Sequence, residues 1–537
     1  MKPKTITIAT IILLLFNESM HSQQPFMVKD INPGNSGSLQ VPHFTGVNNL
    51  LFFNAMNGTS GFELWKSDGT NAGTVMVKDI FPGIPSGIIS NSIPTSYNST
   101  LYFNANNGLD GIEPWKSDGT ETGTVMIKNI NTNNNFNSGH SNPSLLTNVN
   151  GTIFFRAFDE INGWELWKCD GTNSGTTMVK DINPGNLGNN PASSFPTHLT
   201  NINGTLFFGA FSPVFGNELW KSDGTSAGTV MVREINSNVN ITSGNSELNF
   251  LTNVNGTLFF TTNDGINGFE LWKSDGTAIG TVLVKDIFPG YNIQDNYAYS
   301  SDPRNLTNIN GTLFFSARDQ SNSNFELWKS DGTTVGTVKV REICAGNNGS
   351  DPTGLTNVNG TLYFSANDGI NGMELWKSNG TENSTIMIKD LYSGAIGSAP
   401  AEIININGSA YFTANDGNGK DLFKTDGTAG GTVDYNLSNP GYGGPSTLIN
   451  LSGKLYFTLF TDLHGRELWV LDINSLSTSE NILNDNKFLI FPNPANNILT
   501  IQNVDNKPVD KITISDLTGK KVLEQNNNST AINLEKL

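Results

Sequence analysis

The sequence predicts an all-β protein: a β-propeller of four-stranded blades, nine in number, closed by its N-terminal strand and followed by a small partial β-sandwich. Three observations carry this expectation. The octet Glu63 to Thr70 (Glu-Leu-Trp-Lys-Ser-Asp-Gly-Thr) returns unchanged at Glu218, Glu270 and Glu326, and with one substitution at Glu113 (Pro114), Glu165 (Cys169) and Glu374 (Asn379). Weaker copies begin at Asp421 and Glu467, and successive leading acids lie 46 to 56 residues apart, a period that marks a repeat architecture. Between the octets the apolar residues alternate with period two, and the two ends of the array are incomplete in complementary ways.

The unit from Leu251 to Ile287 reads as four short strands. Leu251 to Asn255 alternates, Gly256 completes an Asn-Gly pair, and Thr257 to Thr261 is a second apolar run. Asn-Gly between two such runs specifies a type I′ hairpin, because both central residues need positive φ. The loop Asn263 to Gly268 leads into Phe269–Lys273, the turn Ser274 to Thr281 follows, and Val282 to Ile287 is the fourth strand. Four-stranded units repeated around an axis describe a propeller. The Asn-Gly-Thr triplets at Asn150, Asn203, Asn255, Asn310 and Asn359 also match a glycosylation sequon, but their fixed place in the unit is that of a turn.

A residue present in every unit serves packing rather than a single active site. Trp65, Trp115, Trp167, Trp220, Trp272, Trp328, Trp376 and Trp469 are expected to fill the space between blades. A hairpin centred between Thr70 and Asn71 sets Glu63 opposite Lys78, and the same spacing gives Glu270 with Lys285 and Glu326 with Arg341. These are expected cross-strand ion pairs. In the eighth unit Asp421 replaces Glu and Asn436 stands where the base would be, so acid and base depart together.

Met27 to Ile31 reads as a fourth strand without predecessors, and the last unit, residues 446–472, has three strands and lacks a fourth. The first segment is expected to complete the last unit, which would remove two sheet edges. Eight intact units and one split unit make nine blades; two smaller rings are the alternative.

Residues 1–22 read as a signal peptide. Lys2 and Lys4 precede an apolar run of 11 residues, Ile6 to Phe16, shorter than the roughly twenty needed to span a bilayer. No later run is long enough for a membrane helix. The formal charge of −17 argues against phosphate-backbone binding, which needs clustered Lys and Arg. Cys169 and Cys344 lie in separate units and are expected to be unpaired.

Strand alternation puts the Asn-Gly and Ser-Asp-Gly-Thr turns on one face, and the second-to-third loops with the long, variable connections on the other. Variable loops on a rigid scaffold are where binding is expected. There, Tyr291, Tyr297, Tyr299 and the extra tryptophan Trp164 are the candidate ligand-stacking residues. Asp264, Asp368 and Asp416, in loops dense in Asn, Asp and Gly, are the Ca²⁺ candidates, though the twelve-residue calcium loop is absent and Asx turns explain the same residues. No other cofactor and no catalytic residue is identified. His43, His140, His198 and His464 show no metal-ligand spacing.

Residues 473–486 form a polar linker, after which the chain changes character. Pro492-Asn493-Pro494 and Asp516-Leu517-Thr518-Gly519-Lys520 lie among alternating apolar runs. Residues 487–537 resemble the C-terminal sorting domain of the type IX secretion system of Bacteroidetes. The resemblance implies a β-sandwich, recognition by the secretion machinery, and release or anchoring at the outer-membrane surface. The family continues with a Gly-rich turn and a basic final strand where this sequence stops at Leu537, so the domain reads as truncated. Roughly residues 26–472 resemble the ELWxxDGT repeat family, which implies a secreted repeat protein without a defined activity. The Asp68-Gly69 turn resembles the Asp-box of sialidase-like propellers, where the box is a fold element. The function expected is non-catalytic binding of a glycan or protein on the variable-loop face. A carbohydrate-active hydrolase or lyase on the same scaffold, and a structural adhesion component, are the alternatives.

Overall fold

The computed structural model describes residues 6–7, 24–40, 42–88, 93–132, 139–188, 190–237, 246–294, 297–320, 324–346, 349–437 and 443–473, with tail strands inside 488–533. All but residues 6–7 of the expected leader, all but residue 473 of the expected linker, and the middle of the connections 131–142 and 236–247 lie outside the described residues. The described chain falls into two compact units. One comprises Met27–Ser452 and Tyr456–Trp469; the other gathers the tail with Met1–Phe26, Gly453–Leu455 and Val470–Leu537.

The first unit is a nine-bladed propeller of four-stranded antiparallel sheets. The fifth blade is representative, with strands Asn249–Val254, Thr257–Asn263, Phe269–Ser274 and Val282–Lys285. Its first turn has Asn255 at φ 50° and Gly256 at φ 86°, as a type I′ hairpin demands. In the ninth sheet Ser446–Leu451, Lys454–Thr461 and Gly465–Asp472 follow one another in the chain, and Phe26–Lys29 lies beside the last of them. First strands of adjacent blades meet through side chains: Thr147 Oγ1 donates to Leu199 O at 3.3 Å and Thr356 Oγ1 to Ile403 O at 3.1 Å.

Each core is shared by two blades. Val254, Phe259, Leu271, Val284 and Ile287 of the fifth blade pack with Leu313, Phe315, Ala317 and Trp328 of the sixth, and the same set recurs at the following junctions. The repeated tryptophan therefore fills the gap between blades, as its recurrence in eight of the nine units implied; in the eighth blade Phe423 takes its place. The base of the preceding blade covers its ring, with Lys285 Nζ 5.9 Å from the Trp328 centroid.

The expected Glu–Lys ion pairs do not form. Near the turn the register is the anticipated one: Trp272 faces Leu283 and Lys273 faces Val282. A β-bulge then intervenes, so Leu271, not Glu270, faces Lys285. The bulge brings Val284 into the core and sends Lys285 to the next blade, where Nζ donates to Thr337 O at 2.8 Å. Lys273 likewise reaches Gly332 O at 2.8 Å. The eighth blade separates the two roles: without the base, Asp421 Oδ1 still accepts the Leu437 N–H at 2.8 Å. Cys169 and Cys344 are both buried and unpaired.

In the second unit, Phe488–Phe491, Ile498–Asn503 and Ala531–Asn533 form one small antiparallel sheet. Lys511–Ser515 pairs antiparallel with Lys521–Asn526 and, in parallel, with Ile6–Thr7.

Candidate functional site

The leading acid of the repeat holds the connection between blades. Glu270 is fully buried; its Oε2 accepts Ile287 N–H at 2.9 Å and contacts Ser301 Oγ at 2.5 Å, and its Oε1 accepts Ser301 N–H at 2.9 Å. Glu113 does the same with Ile130 and Ser141, and Glu374 with Leu391, Tyr392 and Ser398. Sequence reasoning missed the serine, although a signal exists: Ser141, Ser301, Ser350 and Ser398 each stand two residues before a proline. One carboxyl thus fixes both ends of a connection whose middle is free to vary, which is how a rigid scaffold carries divergent loops.

Burial pushes the carboxyls of Glu63, Glu113, Glu165, Glu218, Glu270 and Glu467 up to about 7, against the opposing pull of the N–H donors. Between about pH 4.5 and 7 the native protein keeps protons that the unfolded chain has released, so stability falls as pH rises through that window and levels off above it. The expected result is a Tm lower by several degrees near pH 8 than near pH 5, measured by calorimetry. A Tm that rises over the same interval contradicts the assignment.

On the variable-loop face, Tyr291–Asn292 and Tyr297–Ala298 pair as a small hairpin on the connection after the fifth blade. Tyr299 stacks on Phe288 with centroids 5.0 Å apart and meets the Tyr297 ring edge-on at 6.5 Å. Its N–H donates to Gly290 O at 3.1 Å. Tyr299 thus fastens the hairpin down, whereas Tyr291 and Tyr297 are 49 % and 52 % exposed. Trp164 stands in the third blade, half-buried, between Phe158 at 5.7 Å and Arg156 at 5.2 Å. Tyr297 and Tyr299 are brought together, whereas Tyr291, which pairs with Ala298 while Tyr297 pairs with Asn292, points to the other side of the hairpin; no ring contact among the described residues joins Trp164 to them.

Sequence reasoning also missed a set of apolar loop tips. Leu109, Ile161, Val214, Ile266, Ile370 and Leu463 occupy corresponding second-to-third loops and are 73–83 % exposed. At Leu109, Ile266 and Ile370 the signal is a single aliphatic residue inside an otherwise Asn, Asp and Gly loop; Val214 and Leu463 lie in loops of mixed composition.

The acids of those loops are engaged locally. Asp264 Oδ1 accepts the N–H groups of Ile266 and Asn267, and its Oδ2 accepts Asn267 Nδ2 at 2.7 Å. Asp368 repeats this with Ile370 and Asn371, and Asp416 accepts from Asn418. These are Asx turns. Among the described residues no three His, Cys, Asp or Glu side chains converge as metal ligands.

Residues 489–537 match the secretion system C-terminal sorting domain. The tail therefore marks a protein exported by the type IX machinery to the cell surface or beyond. No helix among the described residues is long and apolar enough to cross a membrane. The comparison with curated proteins gives no match. Among solved structures, the chain is similar to a puromycin hydrolase at 12 % identity, covering 82 % of this chain and 62 % of that one, with TM-score 0.36. A puromycin-hydrolysing peptidase of Mycobacterium tuberculosis is 9 % identical, covering 82 % and 61 %, with TM-score 0.37. The polysaccharide lyase Uly1 is 10 % identical, covering 81 % and 100 %, with TM-score 0.32. The chain spans about three-fifths of the length of the first two of these proteins. Likeness at this level assigns no activity.

Proposed function

We infer that the protein is an exported propeller of the ELWxxDGT repeat type that binds a glycan on its variable-loop face. In this reading a leader of residues 1–22 is removed, residues 26–472 form the ring, and residues 473–486 link it to a sorting sandwich at 487–537, as in Bacteroidetes. The strand Phe26–Lys29 latches the ring. Supporting the latch, contacts across the junction of ninth and first blades repeat those made elsewhere. Lys29 Nζ donates to Thr74 O at 2.7 Å, as Lys285 does to Thr337 O, and Ser38 Oγ meets Glu467 Oε2 at 2.6 Å, as Ser301 meets Glu270. Ser452 Oγ contacts Asn49 Oδ1 at 2.8 Å between the first strands.

The observation that carries the binding role is the pair of half-exposed tyrosines on a hairpin whose third tyrosine is stacked beneath it. Flat rings held at low entropy cost suit sugar faces. Glycan-array screening of the mature protein tests this. Tyr291→Ala with Tyr297→Ala is expected to lower affinity for any hit by about tenfold or more while Tm is kept. Hits unaffected by the double substitution would move the site elsewhere on the face. An array without hits, together with capture of a defined surface protein through the same tyrosines, would replace the glycan by a protein ligand.

A further inference from the structure

The opposite, turn-bearing face carries an uncharged, shallow depression of its own. Six blades end their first strand in Asn-x-Asn-Gly, as in Asn357-Val358-Asn359-Gly360. The first asparagine folds back on the turn: Asn357 Oδ1 accepts Gly360 N–H at 2.8 Å, and Asn405 Oδ1 accepts Gly408 N–H at 3.1 Å. The second takes the left-handed conformation, φ 50° at Asn310 and 51° at Asn359. In two blades the remaining amide nitrogen is used as a staple, Asn201 Nδ2 donating to Asn148 O at 3.0 Å and Asn308 Nδ2 to Asn253 O at 3.1 Å. Asn357 and Asn405 make no such bond, and the amides of Asn310 and Asn359 have no hydrogen-bond partner among the described residues. These four asparagines, with Gly360, line a shallow depression, largely open to water, that spans the sixth to eighth blades.

The lining selects the class of ligand. It offers no carboxylate to balance a cation and no Lys or Arg to balance an anion. It has no aliphatic or aromatic side chain to bury an apolar group. What remains is four primary amides, each with a carbonyl oxygen and two N–H donors. Two are preset in orientation by their own Oδ1 bonds, which lowers the entropy cost of using their Nδ2 groups. Hydroxyl-rich neutral molecules, which donate and accept at every position, match that array.

We propose that the open depression lined by Asn310, Asn357, Asn359, Gly360 and Asn405 binds a neutral carbohydrate, independently of the tyrosine hairpin on the other face. Contacts through amides alone, open to water, give weak binding, with Kd about 1 mM. The test uses saturation-transfer NMR and titration calorimetry with maltotriose, mannotriose and galactotriose on the mature protein carrying Tyr291→Ala and Tyr297→Ala, so that only this site is read. At least one of the three sugars is expected to bind. Asn357→Asp with Asn405→Asp keeps the Oδ1 acceptors of both turns but removes both donors, and binding is expected to weaken about tenfold or more with Tm retained. If the double variant is unfolded, Asn405→Asp alone serves the comparison. Asn148→Asp, outside the depression, leaves binding unchanged. Undiminished binding in a folded Asn405→Asp or double variant overturns the proposal, and so does the absence of saturation transfer to all three sugars at about 10 mM.

Discussion

Removal of residues 24–38 is expected to abolish cooperative folding of the propeller, with a stability loss above about 4 kcal/mol. Three effects add. The ninth sheet loses the strand beside Gly465–Asp472, so an edge of that sheet and its core face are opened to solvent. Glu467, fully buried, loses the Ile31 N–H and the Ser38 hydroxyl, leaving a carboxyl without the groups that hold it. The first blade loses the Lys29 bond to Thr74 O. Urea titration and size-exclusion chromatography of the shortened chain check this. Expected are a broad transition at lower denaturant and association through the open edge, both reversed by adding a peptide of residues 24–40. A sharp transition at the parent midpoint contradicts the latch.

Glu270→Ala carries the second largest expected effect, about 3–5 kcal/mol. Truncation strips the acceptor from the Ile287 and Ser301 N–H groups and from the Ser301 hydroxyl, all buried, where a donor without a partner costs about 1–3 kcal/mol. Glu270→Gln keeps one oxygen and is expected to cost less. Lys285→Ala, at a half-buried position, loses a bond to Thr337 O and the cover over Trp328, a smaller effect. The decisive number is the coupling in a Glu270/Lys285 double-mutant cycle. Because these side chains serve different partners, it is expected to be within about 0.5 kcal/mol of zero. Coupling of about 1 kcal/mol or more would restore the direct ion pair.

Much of this architecture could be read from the chain. The octet's period, the Asn-Gly turns and the alternation were enough for four-stranded blades, their number and the interblade tryptophans. The error at Glu270 and Lys285 has a single physical source. Strand alternation assumes an unbroken register, and the bulge at Val284 has no glycine or proline to announce it. The clamp itself was hidden because its partners lie 17 and 31 residues beyond the acid. Among the candidate binding residues, composition could not divide the tyrosines into the anchored Tyr299 and the exposed Tyr291 and Tyr297. That division depends on Phe288, a residue which in sequence reads only as the first of the variable connection after Ile287. Nor could composition separate loop acids that coordinate from those that merely cap, since both kinds sit among Asn and Gly; Asp264 and Asp368 cap.

Hydrogen exchange followed by mass spectrometry addresses ring closure most directly, because it reads the backbone of the latch itself. The amides of Val28 and Lys29 are predicted to exchange as slowly as those of Val284 and Lys285, the matching outer strand of the fifth blade. Substituting Glu467→Ala is predicted to speed exchange in residues 26–31 and 465–472 together. Exchange of Val28 and Lys29 at the rate of a free chain, while Leu468 and Trp469 stay protected, would show that the N-terminal strand does not close the ring.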